Sequence, residues 1–510
     1  MDKSRTYNSI INSIFGIVAS AITVVLNFFV RVVLVRQLGE QITGLHTLFQ
    51  SITTIMALME LGISSAMIIH LYEPIKVHNI PLIKGIMNFY KKIYRIIAIT
   101  FGAACVFVDL FLMDSLVKTT IDMQTVKAYF LLFGLSSVVN YLTYYKRSIL
   151  FAEQKNRISI GVTAGCEVFF RSIQIVLLLT IHQYFVFLIL WILEKATSNI
   201  ICTIYVDRQH PYLKHNDVVL EKEKKLAIFN TVKPLVVNQM ANTVRQSAKS
   251  ILISILLGNI SIVGYYGNYQ LVISMVEMIY SQFGGAFTSS FGNLAVERDH
   301  ERMKAAYKNT AFVLDWIACI MCAGFIACIG DFITVVYGSR FVLDTVSVAS
   351  LLLSLMFYLI NIPIVSIQNA MGLHKLDSNY MIAQALTAIL FGYIGGKIWR
   401  MPGIFFGLLI PLIIFTTIRK GVVISNKAFE MTKKDYLVFV FTELIKLSVT
   451  VIVSAIITSR INISASIMSI IFKGLCALAI GIVVPFIFSV KSKELNYALS
   501  LAKRMITRRR

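Results

Sequence analysis

Apolar runs of about 20 residues recur from one end of the chain to the other, each closed off by a short polar stretch. A helix rises about 1.5 Å per residue, so each such run can cross the roughly 30 Å hydrocarbon core of a bilayer. Fourteen runs qualify, near residues 9–35, 43–70, 93–113, 127–149, 158–181, 183–206, 227–257, 262–290, 309–330, 345–371, 379–398, 402–419, 437–458 and 462–489. The eleventh and twelfth are separated only by KIWRMP. The pattern predicts an all-α polytopic membrane protein. The first run is too long for a signal-peptide core and is expected to stay as the first span.

Charge placement adds sidedness. With the N-terminus inside, the inner segments hold 33 Lys and Arg and the outer segments 8, which predicts that both termini are cytoplasmic. The formal net charge of +22 then reads as a basic inner face toward anionic lipid headgroups, not as a nucleic-acid surface. Composition agrees: 57% of residues are hydrophobic and 15% charged, against about 25% charged in soluble domains. No loop is long enough for a catalytic or ATPase domain, and no phosphate-binding Gly-rich loop with Lys-Ser/Thr occurs, so no enzyme is expected. The seven cysteines all fall in apolar runs. The Cys319–Cys322 pair lacks a second Cys/His pair, so the cysteines read as small buried side chains and no metal or cofactor is expected.

Two segments echo each other. Arg31–Gln50, RVVLVRQLGEQITGLHTLFQ, and Lys249–Gln270, KSILISILLGNISIVGYYGNYQ, both run from a cation through Leu-Gly to a Gly and an aromatic-Gln pair. An offset of about 220 residues implies two pseudo-symmetric six-helix lobes of the same topology. The expected organisation is an N-lobe at 1–206, a cytoplasmic linker at 207–226 and a C-lobe at 227–420. Two further spans lie within 437–489, followed by a basic cytoplasmic tail at 490–510.

Several spans carry a polar stripe. In the seventh, Thr231, Asn238, Asn242, Arg245 and Lys249 fall within about 60° of one another at 100° per residue. The first repeats this with Ser9, Ser13, Gly16, Ser20, Thr23, Asn27 and Arg31, and the second with His46, Gln50, Thr53, Glu60 and Ser64. A Lys or Arg facing lipid at a helix centre costs about 2.5–3.5 kcal/mol, so Arg245 and Lys249 must face water or an acid. Two readings stand open. The cations pair with Glu60, Glu277 or Asp315 on neighbouring spans, or they line a water-filled cavity that binds an anion. Among the other charges, Glu167 and Arg171 are spaced i,i+4 as an internal salt bridge, and Glu194–Lys195 is ambiguous. Glu443 and Lys446 read as snorkelling at the inner end of the thirteenth span, and Lys473 as facing a lipid-tail groove. Asp315 and Glu277 are candidate proton or Na⁺ sites. The histidines receive no role.

The opening VRVVLVRQLGEQITGLHTLFQSI…LMELGISSAMIIHLYEPI resembles that of O-antigen and capsule repeat-unit flippases. YYKRSILFAEQKNRI after span 4 and IQNAMGLHKLDSNY after span 10 are similar echoes. Over essentially the whole chain, the protein resembles the polysaccharide transport family of the multidrug/oligosaccharidyl-lipid/polysaccharide exporter superfamily. The resemblance implies paired lobes that move an undecaprenyl-pyrophosphate-linked oligosaccharide across the bacterial inner membrane by alternating access, alongside glycan polymerase or ligase machinery. It implies that Arg31, Arg245 and Lys249 hold the pyrophosphate, with Asn27, Asn238 and Asn242 donating to phosphate or sugar. A proton or Na⁺ gradient would drive the cycle, with Glu60, Glu277 and Asp315 as coupling candidates. Drug-exporting relatives can carry an acid in span 1; this chain has none there, which argues against cation–drug antiport. A peptidoglycan-precursor or teichoic-acid flippase shares the expected cationic cavity, and a polymerase or ligase would need a large outer loop.

Overall fold

The computed structural model describes residues 2–60, 63–214, 218–297, 299–490 and 492–496. Within these, side chains are described except at 2–14, 17, 59, 65, 230–242, 245, 289, 296, 375 and 378. The described chain is helical throughout, without strands. In order the helices are α1 (Asp2–Met56), α2 (Ile63–Lys76), α3 (Ile80–Phe111), α4 (Met113–Leu116), α5 (Met123–Tyr144), α6 (Arg147–Ala152), α7 (Asn156–Thr180) and α8 (Tyr184–Gln209). There follow α9 (Lys222–Leu257), α10 (Ile260–Glu297), α11 (His300–Val336), α12 (Thr345–Met371), α13 (Ser378–Pro411), α14 (Gly421–Phe429), α15 (Lys433–Ser459) and α16 (Ile467–Ser489). A π-helical stretch, Leu412–Lys420, joins α13 to α14. Ten helices among the described residues are long and apolar enough to cross a membrane.

The polar residues that punctuate the apolar runs do the capping. Asn79, Asp122, Asp299, Asp344, Thr432 and Ser466 each accept a backbone N–H in the first turn of the helix they open. Gly258 and Gly372 close α9 and α12 in the left-handed conformation that suits a residue without Cβ. Two continuous helices break inside. Gly39, at φ 77°, divides α1 between the first two apolar runs. Trp399 and Arg400 leave helical geometry within KIWRMP. There the two arms pack so closely that a Cβ on Gly395 or Gly403 would collide with the other's carbonyl.

The chain divides into two compact units, Met1–Gly264 and Tyr265–Arg510. In the first, α1 packs on α7 and α9, while α5 lies between α3 and α8. Leu34, Val35, Leu45, Phe49, Phe101 and Phe130 are sealed in its core. In the second, α11 is central, flanked by α12, α15 and α16.

The repeated segments meet within the first unit. A Cβ on Gly44 would strike the carbonyl of Ile260, and one on Gly264 would strike that of Glu40. At the repeat offset Ile260 corresponds to Glu40 and Gly264 to Gly44, so the contact is reciprocal and each copy's glycine leaves the space that the other copy's backbone occupies. Backbone cannot step aside as a side chain can. Gly44→Val should therefore destabilise the protein by at least the 1–3 kcal/mol typical of overpacking. Thermal unfolding in mild detergent would reveal this as a lowered midpoint, with Gly16→Ala, where a Cβ meets open space, close to wild type.

Candidate functional site

Arg31 and Lys249 keep only 9% and 8% of their surface, which removes both from lipid. Arg31, on the polar stripe of α1, donates to the Thr47 hydroxyl at 3.1 Å and to the carbonyls of Thr43 and Gly264 at 3.4 and 3.1 Å. The guanidinium therefore joins the two arms of α1 across the Gly39 break and ties them to the start of α10. Lys249 lies in a run, Ser247 to Ser250, of which all four residues are buried. Four successive positions cover a full turn at 100° each, so this part of α9 is enclosed on every side. Ile253 is fully buried; Ile255 is the exposed neighbour. Asn27 is half-buried on α1. Asn238, Asn242 and Arg245 belong to α9, but their side chains lie outside the described residues.

The three coupling candidates have different surroundings. Glu60 is half-buried at the end of the 3₁₀ turn after α1 and accepts from the Tyr94 hydroxyl at 3.0 Å. Glu277 is half-buried on α10. Asp315 on α11 is buried and takes the Lys446 ammonium at 2.8 Å. Lys446 also meets Glu443 at 2.5 Å. This corrects the snorkelling expectation: Lys446 stands thirteen residues from either end of α15, about 20 Å, too far for its stem to reach an interface. Lys473 pairs with Asp331 at 2.8 Å, which also accepts from Ser469.

Partners of the remaining spans also differ from the local reading. Arg171 pairs with Glu194 on α8 at 3.3 Å and lies over the Trp191 ring, rather than with Glu167. Glu194 also binds Lys195 at 2.8 Å. Glu167 instead accepts from Thr23 at 2.5 Å, joining α7 to the stripe of α1. His46, left without a role by the sequence, contacts Tyr184 at 3.0 Å and packs among Phe133, Phe187 and Trp191. It extends the buried polar seam from Arg31 toward α8. The signal was present in its place on the stripe of α1's second arm.

The two interhelical motifs are ion-paired corners. In the first, Lys146 holds Asp207 at 2.6 Å and Arg147 donates to the hydroxyls of Thr163 and Ser198, both at 2.7 Å. Burial would raise the Glu153 carboxyl, but bonds from His210 and Lys155 outweigh it and hold the group below its ordinary value. In the second, Asp377 takes both Arg419 and Lys420, at 2.8 and 2.6 Å.

Comparison with known proteins identifies the setting. A family model described as polysaccharide biosynthesis protein matches residues 33–347. No curated protein matches the sequence significantly. Among solved structures, the lipid II flippase MurJ in an inward closed conformation aligns at TM-score 0.64 and 16% identity, over 94% of this chain and 99% of that one. An inward-facing multidrug resistance MATE transporter of the MOP superfamily aligns at 0.63 and 13%, over 85% and 98%. An outward-facing MATE structure follows at 0.53 and 13%, over 86% and 95%. The likenesses establish a shared fold, and with the family match over most of its length the chain belongs to the polysaccharide biosynthesis protein family, built on the fold of MOP-superfamily transporters.

Proposed function

We propose that the protein is a flippase that carries a polyprenyl-pyrophosphate-linked oligosaccharide across the bacterial inner membrane by alternating access, with both termini in the cytoplasm. The observation that carries this reading is the burial of Arg31 in a helix long and apolar enough to cross a membrane, and of Lys249 in the apolar end of α9, in a chain from this family. A pyrophosphate brings concentrated negative charge and many acceptor oxygens, and charge-assisted bonds from guanidinium and ammonium are the strong way to hold it. Arg245, Asn27, Asn238 and Asn242 complete the proposed set along the same helix stripes. The resemblance of the fold to a lipid II flippase supports a lipid-linked cargo; the family match favours a polysaccharide repeat unit over lipid II itself. As a flippase the protein forms no covalent intermediate and is not an enzyme.

Reconstituted protein tests this. Liposomes carrying a fluorescent polyprenyl-pyrophosphate oligosaccharide should expose the inner-leaflet share of the label to a membrane-impermeant quencher only when the protein is present. Quenching no faster than in empty liposomes would refute the reading. Equal quenching of a neutral polyprenyl glycoside would refute pyrophosphate recognition, and inhibition by lipid II but by no oligosaccharide-linked lipid would move the assignment to peptidoglycan precursors.

A further inference from the structure

Within the second unit, Asp315, Glu443 and Lys446 form a cluster in which two carboxyls share one ammonium. Asp315 Oδ2 lies 2.8 Å and Glu443 Oε2 2.5 Å from Lys446 Nζ. The Lys446 and Asp315 side chains are 5% and 4% exposed, and Glu443 12%. The cluster sits at mid-length of α15 against α11, two membrane helices. Fully ionised, it would carry one uncompensated negative charge out of reach of bulk water.

The other titratable groups around the cluster do not supply the missing positive charge. From α11 come Cys319, with Sγ 3.8 Å from Asp315 Oδ2, and the neighbouring Cys322 and Tyr307. From α10 comes Tyr280, and from α15 Tyr436 farther along the same face. Ile360 and Pro363 of α12 complete the wall without a charge. Among the described residues no second cation bonds to either carboxylate. Asp315 Oδ1 is buried without a hydrogen-bond partner, and both acids line a cavity of ≈ 10 Å³, about the room one water needs.

These features select between a proton and a metal cation. A hard cation such as Na⁺ needs a shell of oxygens. Here one oxygen of each carboxylate already holds the Lys446 ammonium, and apart from the Tyr280 and Tyr307 phenols the rest of the wall is hydrocarbon. A proton needs a single oxygen lone pair, and Asp315 Oδ1 offers one. We infer that Asp315, Glu443 and Lys446 form a binding site for one transferable proton and discriminate against Na⁺. Loading makes one O–H bond on a carboxylate, with the proton delivered by water in the cavity; unloading breaks the same bond, and no other bond changes. Using this proton to drive transport rests on the flippase reading; binding it does not.

Infrared difference spectroscopy of the reconstituted protein tests the site without any cargo. At neutral pH the wild type should show the stretching band of one buried carboxylic acid, shifted in D₂O and bleached by alkaline titration. Asp315→Asn and Glu443→Gln should each remove it, since one carboxylate then balances one ammonium. Lys446→Gln should double it. Should that variant fail to fold, the two isosteric amides decide alone. A band that survives both amide substitutions, or no band in the wild type, would overturn the proposal, as would bleaching by Na⁺ at constant pH. Export measured on the same preparations separates the two ideas: a normal band with no cargo movement would strike the flippase reading and leave the proton site standing.

Discussion

Changing Arg31 and Lys249 together to glutamine should abolish export of the lipid-linked glycan. Each charge-assisted hydrogen bond contributes about 1.5–3 kcal/mol, so losing one should slow transport roughly 10- to 100-fold at limiting cargo, and losing both more. Lys249→Arg should keep part of the activity, because a guanidinium still offers charged donors to phosphate. Lys249→Gln keeps only neutral ones. The rival explanation, that the cations merely balance buried acids, makes a different forecast. It expects the protein's membrane level to fall with activity and to recover when an acid is neutralised. Glu60 already takes a bond from Tyr94, and Asp315 is held by Lys446, so neutralising either is expected to rescue nothing. Arg31 needs one more control, since it also ties α1 to the start of α10 through Gly264. Its level must be measured alongside its export. Normal export by the double variant at normal level would end the pyrophosphate-gripping model.

Helix positions were legible because the bilayer imposes a length and a composition on each one. Even the eleventh and twelfth spans, divided only by six residues, part where Trp399 and Arg400 leave helical geometry. The Gly44–Gly264 repeat was legible as a pattern but not as a contact; only the fold places the two copies against each other. What periodicity could not give was pairing between helices. Spacing along one helix suggested Glu167 with Arg171, yet Arg171 reaches across to Glu194 and Glu167 takes Thr23. An i,i+4 relation fixes which groups share a face, not which helix that face meets.

The same limit hid the cluster around Lys446. Read alone, Glu443 and Lys446 are an i,i+3 pair on one span and Asp315 an isolated acid on another, 131 positions earlier than the lysine by their numbers. Lys473 and Asp331 are separated in the same way. A balance of buried charge over the last spans was the available clue: each lysine there needs an acid, and the acids on α11 are the nearest supply. The cationic stripe, by contrast, could be read from one helix at a time, since sequence spacing alone assigns its members to a single helix face.

Removing Lys446 should produce the largest loss of stability of any single change discussed. Breaking a buried ion pair from one side costs about 3–5 kcal/mol, because the group left behind stays buried without its partner. Lys446→Gln leaves two such groups, Asp315 and Glu443, facing each other across the vacated ammonium. The unfolding midpoint in mild detergent should fall well below that of an exposed-surface control such as Lys427→Gln. Double substitution separates charge from packing. Lys446→Gln with Asp315→Asn removes the ammonium and one acid together, so it should be more stable than Lys446→Gln alone, and the two changes should be strongly non-additive, as contacting residues are. Simple additivity would show that Lys446 acts through its contact with the Phe312 ring and the packing of its stem, not through the carboxyls. Glu443→Gln should rescue Lys446→Gln for the same reason as Asp315→Asn, since each acid shares the same ammonium. Rescue by one and not the other would reveal which carboxyl stays charged when the site holds its proton.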